Sequence, residues 1–427
     1  MKQKINSILK EVLEKIEPPK EDLKIIENSI KDFKEKVEKE IKSLKIIAEV
    51  FIGGSFAKNT VIKKDSYDVD AFVRFDKKYG DEEISKLTKK ILKKFTNVSI
   101  IHGSRDYFRI KISPSFFIEV IPVIKIKNPK EARNITDLSY SHVKYIKNKI
   151  KKKNLSHQIK LAKIFCYANN CYGAESYING FSGYSLELLI CKYGWFLKFI
   201  KEIIKLEEKE IIDIEKLYKN KQQILMDMNG AKLKSPIVLI DPTYKQRNAL
   251  AALSEETLEK FKKICREFIE NPSIKDFEIK KIDLKKIKEE SKKRKKEFSL
   301  IEAHTEKQEG DVAGSKLLKF YNHLEKEISI FFKITNKGFN YNGEKSARYF
   351  FVAKSKKDIL FDGPSIKDKK NFEKFKNKHN KIFQRKGRAY SIKKINFDLN
   401  SFIEKWKKKN KRKLKEMSIN ELKLIEL

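Results

Sequence analysis

Cysteines and long apolar runs are scarce in this sequence, and its acidic residues are far outnumbered by basic ones. Only 59 of its 427 residues are Asp or Glu, against 97 Lys and Arg, a formal balance of +38. A chain with so large a basic excess is not indifferent to polyanions; the abundance of Lys beside Ile and Asn tempers the size of that excess, not its sign. The four cysteines, Cys166, Cys171, Cys191 and Cys265, form no CxxC pair and have no histidine at metal-ligand spacing. Neither a disulfide framework nor a zinc site is expected from them. Cys166, Cys191 and Cys265 fall in apolar helical patterns and read as small core residues. No run approaches the ~18 uninterrupted apolar residues of a membrane-spanning helix. The opening Met1-Lys2-Gln3-Lys4-Ile5-Asn6 leads into an amphipathic pattern instead of a signal-peptide core. A cytoplasmic protein without a membrane partner is therefore expected, and no internal repeat is found.

What is present is enough apolar material, 40% of residues with 29 Phe, for sizeable cores. At about 100–200 residues per domain the length predicts two to four domains. Ile5, Ile8, Leu9, Val12, Leu13 and Ile16 recur at helical spacing until Pro18-Pro19, and Leu23, Ile26, Ile30, Phe33, Val37, Ile41 and Leu44 predict a second helix. The period then changes. Val50-Phe51-Ile52, Val69 to Phe75, the alternating Phe108, Ile110 and Ile112, and Phe116–Ile124 predict strands gathered around a glycine turn. From Ser139 to Glu270 the pattern is predominantly helical, and Lys280–Lys296 reads as a charged surface helix or linker. Beyond it, a helix near Leu317–Phe332 and strand-like runs at Tyr349–Val352 and Ile359–Phe361 predict a third part of mixed type.

The chemistry is concentrated around Gly53-Gly54-Ser55-Phe56-Ala57-Lys58-Asn59-Thr60 and Asp68-Val69-Asp70. A glycine pair after a strand lets backbone N–H groups approach phosphate oxygens, and a helix beginning at Ser55 would aim its positive end at them. Asp68 and Asp70, two apart on a strand, project from one face while Val69 turns inward. Two bare carboxylates side by side repel, an arrangement suited to Mg2+ bridging to nucleotide phosphates. A solvated surface turn would also carry such a pair, but a third acidic residue, Glu119, stands inside the apolar strand Phe116-Phe117-Ile118-Glu119-Val120-Ile121-Pro122. A buried strand does not carry an unpaired Glu without cost. Asp68, Asp70 and Glu119 are accordingly the expected catalytic and metal-binding carboxylates.

This combination resembles the nucleotidyltransferase superfamily of DNA polymerase beta and the poly(A) polymerases. More specifically the chain is similar to the archaeal, class I CCA-adding enzymes, which are tRNA nucleotidyltransferases. The matching stretches are Gly54 to Thr60, Asp68 to Asp70, Tyr172-Gly173-Ala174-Glu175, Gly180-Phe181-Ser182-Gly183-Tyr184 with Leu186 to Ile190, Asp241-Pro242 with Arg247-Asn248, and Cys265 to Phe268. Two departures stand out. Glu119 takes the place of a common Asp, and the Asp-Arg-Thr-Pro-x-His block reads Asp137-Leu138-Ser139-Tyr140-Ser141-His142.

The resemblance implies an α/β nucleotidyltransferase head with a mixed sheet and flanking helices (residues 1–138), a helical central domain closing over the nucleotide (139–275), and a mixed α/β C-terminal region with a basic tail binding tRNA (276–427). It implies template-independent, Mg2+-dependent addition of C, C and A to the tRNA 3′ end from CTP and ATP, releasing pyrophosphate, and dimerisation. Gly54, Ser55, Lys58, Ser139, His142, Lys163, Tyr172 and Arg247 would then bind nucleotide. Lys163 and Tyr172, nine apart on one expected helix, would both reach it only at the end of that helix.

Arg247 follows the Asp241-Pro242 turn in what reads as a loop leading into a helix. Cytosine and adenine present a ring-nitrogen acceptor at the centre of their pairing edge, where uracil and guanine present an N–H. A guanidinium offers only donors, so one fixed Arg would admit C and A and refuse U and G. Lys405, Lys407, Lys408, Lys409, Lys411, Arg412, Lys413 and Lys415 surround Trp406 and would neutralise phosphates along the tRNA acceptor arm near its 3′ end. A poly(A) or oligoadenylate polymerase, with the same head and metal site, is the alternative reading.

Overall fold

The computed structural model describes residues 2–103, 105–279, 282–379 and 381–427. They divide into two compact units, residues 1–280 and 281–427. Residues 280 and 281, the start of the charged Lys280–Lys296 segment, lie outside the described residues.

The first unit opens with α1 (Lys2–Ile16), α2 (Lys20–Ser43), β1 (Ala48–Ile52), the single turn α3 (Gly54–Ala57), β2 (Tyr67–Phe75), α4 (Asp81–Ile91), β3 (Val98–Ile101), β4 (Tyr107–Ser113) and β5 (Phe116–Ile124). The strands form one mixed sheet in the order β1-β2-β5-β4-β3, with β2 and β5 parallel and the other pairs antiparallel. Alternation along β2 decides its two faces. Tyr67, Val69, Ala71, Val73 and Phe75 are buried against Ile26, Phe33, Val37 and Ile41 of α2 and against Ile84 and Ile91 of α4. Asp68, Asp70, Phe72 and Arg74 are thereby turned to the other face.

The chain continues through α5 (Ser139–Lys153), α6 (Ser156–Ala168), α7 (Gly183–Tyr193), α8 (Phe196–Ile204), β6 (Glu210–Ile212), α9 (Lys221–Asp227), β7 (Ile237–Asp241), β8 (Tyr244–Asn248) and α10 (Glu255–Glu270). This part has a core of its own, centred on Phe165, whose ring packs against Phe196, Phe261, Phe268 and Phe277 at centroid distances of 5.1–5.9 Å. All four cysteines are buried and free. Helix α1 joins this core through Ile5, Val12 and Ile16 although it precedes the sheet in sequence.

Three local expectations are corrected here. The helix expected at Ser55 starts at Gly54 and is four residues long, too short to sum a useful dipole. Tyr172 is not on the helix of Lys163, which ends at Ala168; it lies beyond, bridged to Phe181. Arg247 is on strand β8, not in a loop. That strand belongs to a small sheet, β6-β7-β8, whose centre is the apolar run Ile237-Val238-Leu239-Ile240, buried throughout.

In the second unit come α11 (Leu284–Lys293), β9 (Glu297–His304), α12 (Asp311–Phe331), β10 (Phe332–Tyr341), β11 (Ser346–Ser355), β12 (Asp358–Ser365), α13 (Lys369–Lys376), β13 (Ile382–Arg385), β14 (Arg388–Lys394), α14 (Leu399–Lys409), α15 (Lys411–Glu416) and β15 (Glu421–Leu424). A four-stranded antiparallel sheet, β10-β11-β9-β15, packs against α12 through Leu317, Phe320, Leu324 and Ile328, and a smaller sheet runs β12-β14-β13. Trp406 of α14 is buried beside Phe320, and its indole N–H donates to Glu327 at 2.9 Å. Among the described residues no helix is long and apolar enough to cross a membrane.

Candidate active site

Strand β2 delivers Asp68 and Asp70 side by side, and the turn after β1 is folded tightly around the second of them. The Gly53 N–H donates to the Asp70 carbonyl at 2.8 Å. Gly54 has φ +64°, and a Cβ there would lie 1.8 Å from Asp70 Oδ2. Only glycine accepts both the conformation and the carboxylate pressed against it. The expected phosphate-cradling turn is thus equally the seat of a carboxylate.

Sheet register brings the third acidic residue into line. Asp70 pairs with Glu119 on β5, and Glu119 pairs with Arg109 on β4, so the three side chains form one row across three strands. Arg109 donates to Glu119 Oε1 from Nε at 3.1 Å and from its amino group at 2.6 Å. Among the described residues no three His, Cys, Asp or Glu side chains close into a cation cage. Asp68 and Asp70 are nonetheless a fitting donor set for a hard cation. Burial and then the charge of Glu119 push Asp70 up to about 7, with Lys58 pulling the other way and Asp68 adding to the rise. A carboxylate so reluctant to ionise beside like charges is relieved by a divalent ion. Glu119 is raised by burial and by Asp68 against the opposing pull of Arg109, and would have to turn from that arginine to join them.

The positive side of the cleft is organised by Glu187. Its carboxylate has no exposure and accepts from Lys58 at 2.6 Å, Lys163 at 2.8 Å and Thr60 Oγ1 at 3.3 Å, while Lys163 also donates to Thr60 at 2.8 Å. Burial works to raise the Glu187 pKa, but Lys163 and Lys58 outweigh it and hold the group below its ordinary value. Lys163 is brought down to about 8, burial overcoming the attraction of Glu187. The cleft itself is lined by Ser55, Lys64, Asp68, Asp70, Lys163 and Tyr172 among others. Lys163 and Tyr172 both reach the cleft, by the return of the chain rather than along one helix: a Cβ at Gly183 would lie 2.8 Å from Tyr172 Oη and 3.8 Å from Lys163 Cε.

His142 and Arg247 are gathered elsewhere, around Asp241. His142 Nε2 lies 2.9 Å from Asp241 Oδ2, and Arg247 donates to the same oxygen at 2.7 Å. Tyr184 donates to Oδ1 at 2.9 Å and its ring stacks on His142 at 4.1 Å. Asp241 is kept well below the usual carboxylate range: burial opposes this, but His142, Arg247 and the Thr243 N–H prevail. His142 is lowered by burial against the pull of Asp241, with Arg247 and Lys58 adding to the fall. The charge of Lys58 thus bears on both His142 and Asp70. Ser139, half-buried, shares the first turn of α5 with His142 at i, i+3. The altered block has its own packing, since Tyr140 lies edge-on to Phe51 at 4.9 Å with the Arg74 guanidinium 3.8 Å above its ring. Asp137 is structural, accepting the Ile124, Arg133 and Asn134 N–H groups and pairing with Arg105.

Sequence reasoning missed Arg109, Glu187 and Asp241 as organisers. Glu187 and Asp241 carry the signal that singled out Glu119, an acid at the end of or inside an apolar run. In the C-terminal unit Lys405, Lys408, Lys409, Lys411, Arg412 and Lys413 are exposed and Lys407 half-buried. Of these, Arg412 and Lys413 pair with Glu416, at 3.1 and 3.6 Å.

A mixed sheet with paired carboxylates at a glycine turn is the architecture of a polymerase beta-like nucleotidyltransferase. The Cid1 poly(U) polymerase crystal structure with Mg and 3′-dATP bound has the same fold, with a TM-score of 0.51 at 13% identity over 66% of this chain and 100% of the other. Residues 157–278 match the family described as tRNA nucleotidyltransferase, second domain, and residues 3–154 match the Second Messenger Oligonucleotide or Dinucleotide Synthetase domain. The CCA-adding enzyme of Nanoarchaeum equitans is 35% identical over 354 residues, covering 81% of this chain and 84% of that protein. That of Methanocaldococcus jannaschii is 29% identical over 395 residues, 89% and 86% of the two chains. The chain belongs to the CCA-adding enzymes, a family of tRNA nucleotidyltransferases.

Because Gly54 seats Asp70, Gly54→Ala is expected to displace that carboxylate and lower kcat by about 10²-fold, the scale of an ångström misplacement in an active site. Steady-state kinetics alongside a far-ultraviolet dichroism spectrum check this; wild-type turnover in a folded variant would contradict the seat.

Proposed function

We propose that this chain joins the 3′-hydroxyl of tRNA to the α-phosphate of CTP or ATP in the cleft above Asp68 and Asp70, adding C, C and A in turn without a template and releasing pyrophosphate. Membership in the CCA-adding family supports this reaction over the poly(A) or oligoadenylate alternative. The single observation that carries the site assignment is the seating of Asp70 between Asp68, Gly54 and its register partner Glu119.

Asp68 and Asp70 would hold Mg2+, with Glu119 as third ligand once it leaves Arg109. When bound, the cation supplies charge neutralisation and activates the attacking hydroxyl. The chain's own groups then divide the remaining work. Ser55 and the Gly54 turn lie against the phosphates, and Lys58 and Lys163 offer the charge that the triphosphate needs. Ser139, His142 and Tyr172 complete its contacts, and Arg247 meets the base. The residues fall in the head at 1–138 and the central domain at 139–275. The C-terminal part, 276–427, would hold the tRNA through phosphate contacts from Lys405 to Lys413.

Asp70→Ala is expected to lower the rate of nucleotide addition by roughly three orders of magnitude or more while the tRNA Kd stays near the wild-type value. Retention of most activity would remove Asp70 from the site, and a parallel loss of tRNA affinity would indicate a misfolded variant. For the tail, changing the exposed Lys405, Lys408, Lys409 and Lys411 to Gln is expected to weaken tRNA binding. The log–log salt dependence should flatten by about one unit per lost phosphate contact. An unchanged slope would make this tail a solvated surface only.

A further inference from the structure

Asp241 has no exposed surface, and its carboxylate is saturated by the protein itself. Oδ2 takes the His142 ring N–H and one Arg247 amino group, at 2.9 and 2.7 Å. Oδ1 takes the Tyr184 hydroxyl at 2.9 Å and the Thr243 N–H and hydroxyl at 2.8 Å. A carboxylate offers about four lone-pair sites, so no capacity is left for a substrate or a cation. It acts through the groups it holds.

Those groups are held in a way suited to presenting them. Arg247 engages Asp241 through one amino nitrogen, not as the two-pronged fork that maximises a purely structural ion pair. Its side chain keeps about a fifth of its surface exposed, 21%, so the remaining N–H donors stay available. Tyr184 is a shelf for both partners: its ring stacks on His142 at 4.1 Å and lies 5.5 Å below the Arg247 guanidinium. Strand β7 ends in Asp241 and the turn to β8 returns Arg247 beside it, while His142 arrives from α5 and Tyr184 from α7. One oxygen thus joins a residue read as a base contact to a residue read as a triphosphate contact.

We infer that Asp241 is a positioning residue that couples the choice of base to the grip on the triphosphate, by aiming Arg247 and His142 at the two ends of one nucleotide from a single shared oxygen. This rests on the reading of Arg247 and His142 given above. An incoming base that fails to meet the Arg247 donors then also disturbs the imidazole on the same oxygen, and selection is stronger than one base contact alone supplies.

The test is the specificity constant for CTP, ATP, UTP and GTP on tRNA ending before C and before A, with the full chain and its Asp241→Asn, Arg247→Ala and doubly substituted forms. Asp241→Asn keeps the shape and loses the charge. It is expected to reduce the preference for CTP over UTP and for ATP over GTP at least tenfold, with a raised nucleotide KM and an unchanged tRNA Kd. In the double variant the preference should fall no further than in Arg247→Ala, because residues acting as one unit are not additive. If Arg247→Ala loses the preference but Asp241→Asn keeps it, or if the two losses multiply, the coupling is overturned while Arg247 remains the base contact. If Arg247→Ala itself keeps the preference, the reading of Arg247 fails and the coupling with it. Should Asp241→Asn not fold, Tyr184→Phe carries the test. It keeps the ring and removes one hydrogen bond to Oδ1, and a preference reduced less than threefold would overturn the proposal.

Discussion

The first of the two compact units depends on neutralising one carboxylate that has no exposed surface. Glu187 sits on α7 amid Leu186, Leu188, Leu189 and Ile190, all buried. Stripping one partner from a buried ion pair costs roughly 3–5 kcal/mol, so its partners are tightly constrained. They come from two places: Lys58 and Thr60 from the turn that also seats Asp70, and Lys163 from α6. The same contacts that satisfy Glu187 therefore fix the turn from Gly54 to Thr60 against the helices and hold the ammonium groups of Lys58 and Lys163 together. Repacking any of the three groups would move the seat of Asp70.

Against this positive cluster stand the carboxylates of the sheet. Asp68, Asp70 and Glu119 carry three carboxylates, and Arg109 is the cation facing Glu119. The result is a strained charge balance, seen in the rise of Asp70 to about 7 under burial and neighbouring charge. A structural sheet gains nothing from such a set. A site that takes in a divalent cation and a polyanion together has a use for both excesses, the acidic one on β2 and the basic one at Lys58 and Lys163.

The sequence makes the carboxylates legible because acids inside apolar strands are anomalous, and it makes the strands of the head legible because their period is two. The limits are physical as well. Ile237 to Ile240 is a short run buried on both sides, and periodicity does not separate such a strand from a segment of helix. From the sequence pattern alone Arg247 accordingly reads as a loop residue, whereas it stands on β8. Counting back from the turn between β4 and β5 would set Ile110 opposite Glu119; an irregularity between Lys111 and Ser113 shifts the register by one and substitutes Arg109. Tyr172 lies off the helix its spacing predicts because α6 stops at Ala168, with no proline to mark its end.

The role proposed for these charges is the ordered addition of three particular nucleotides to tRNA. It is tested most directly by giving the purified protein all four nucleoside triphosphates, Mg2+ and tRNA lacking its last three residues, then sequencing the 3′ ends formed. Ends that read C, C and A and stop there are the expected result. Runs of A or U, or ends extended without C, would contradict it.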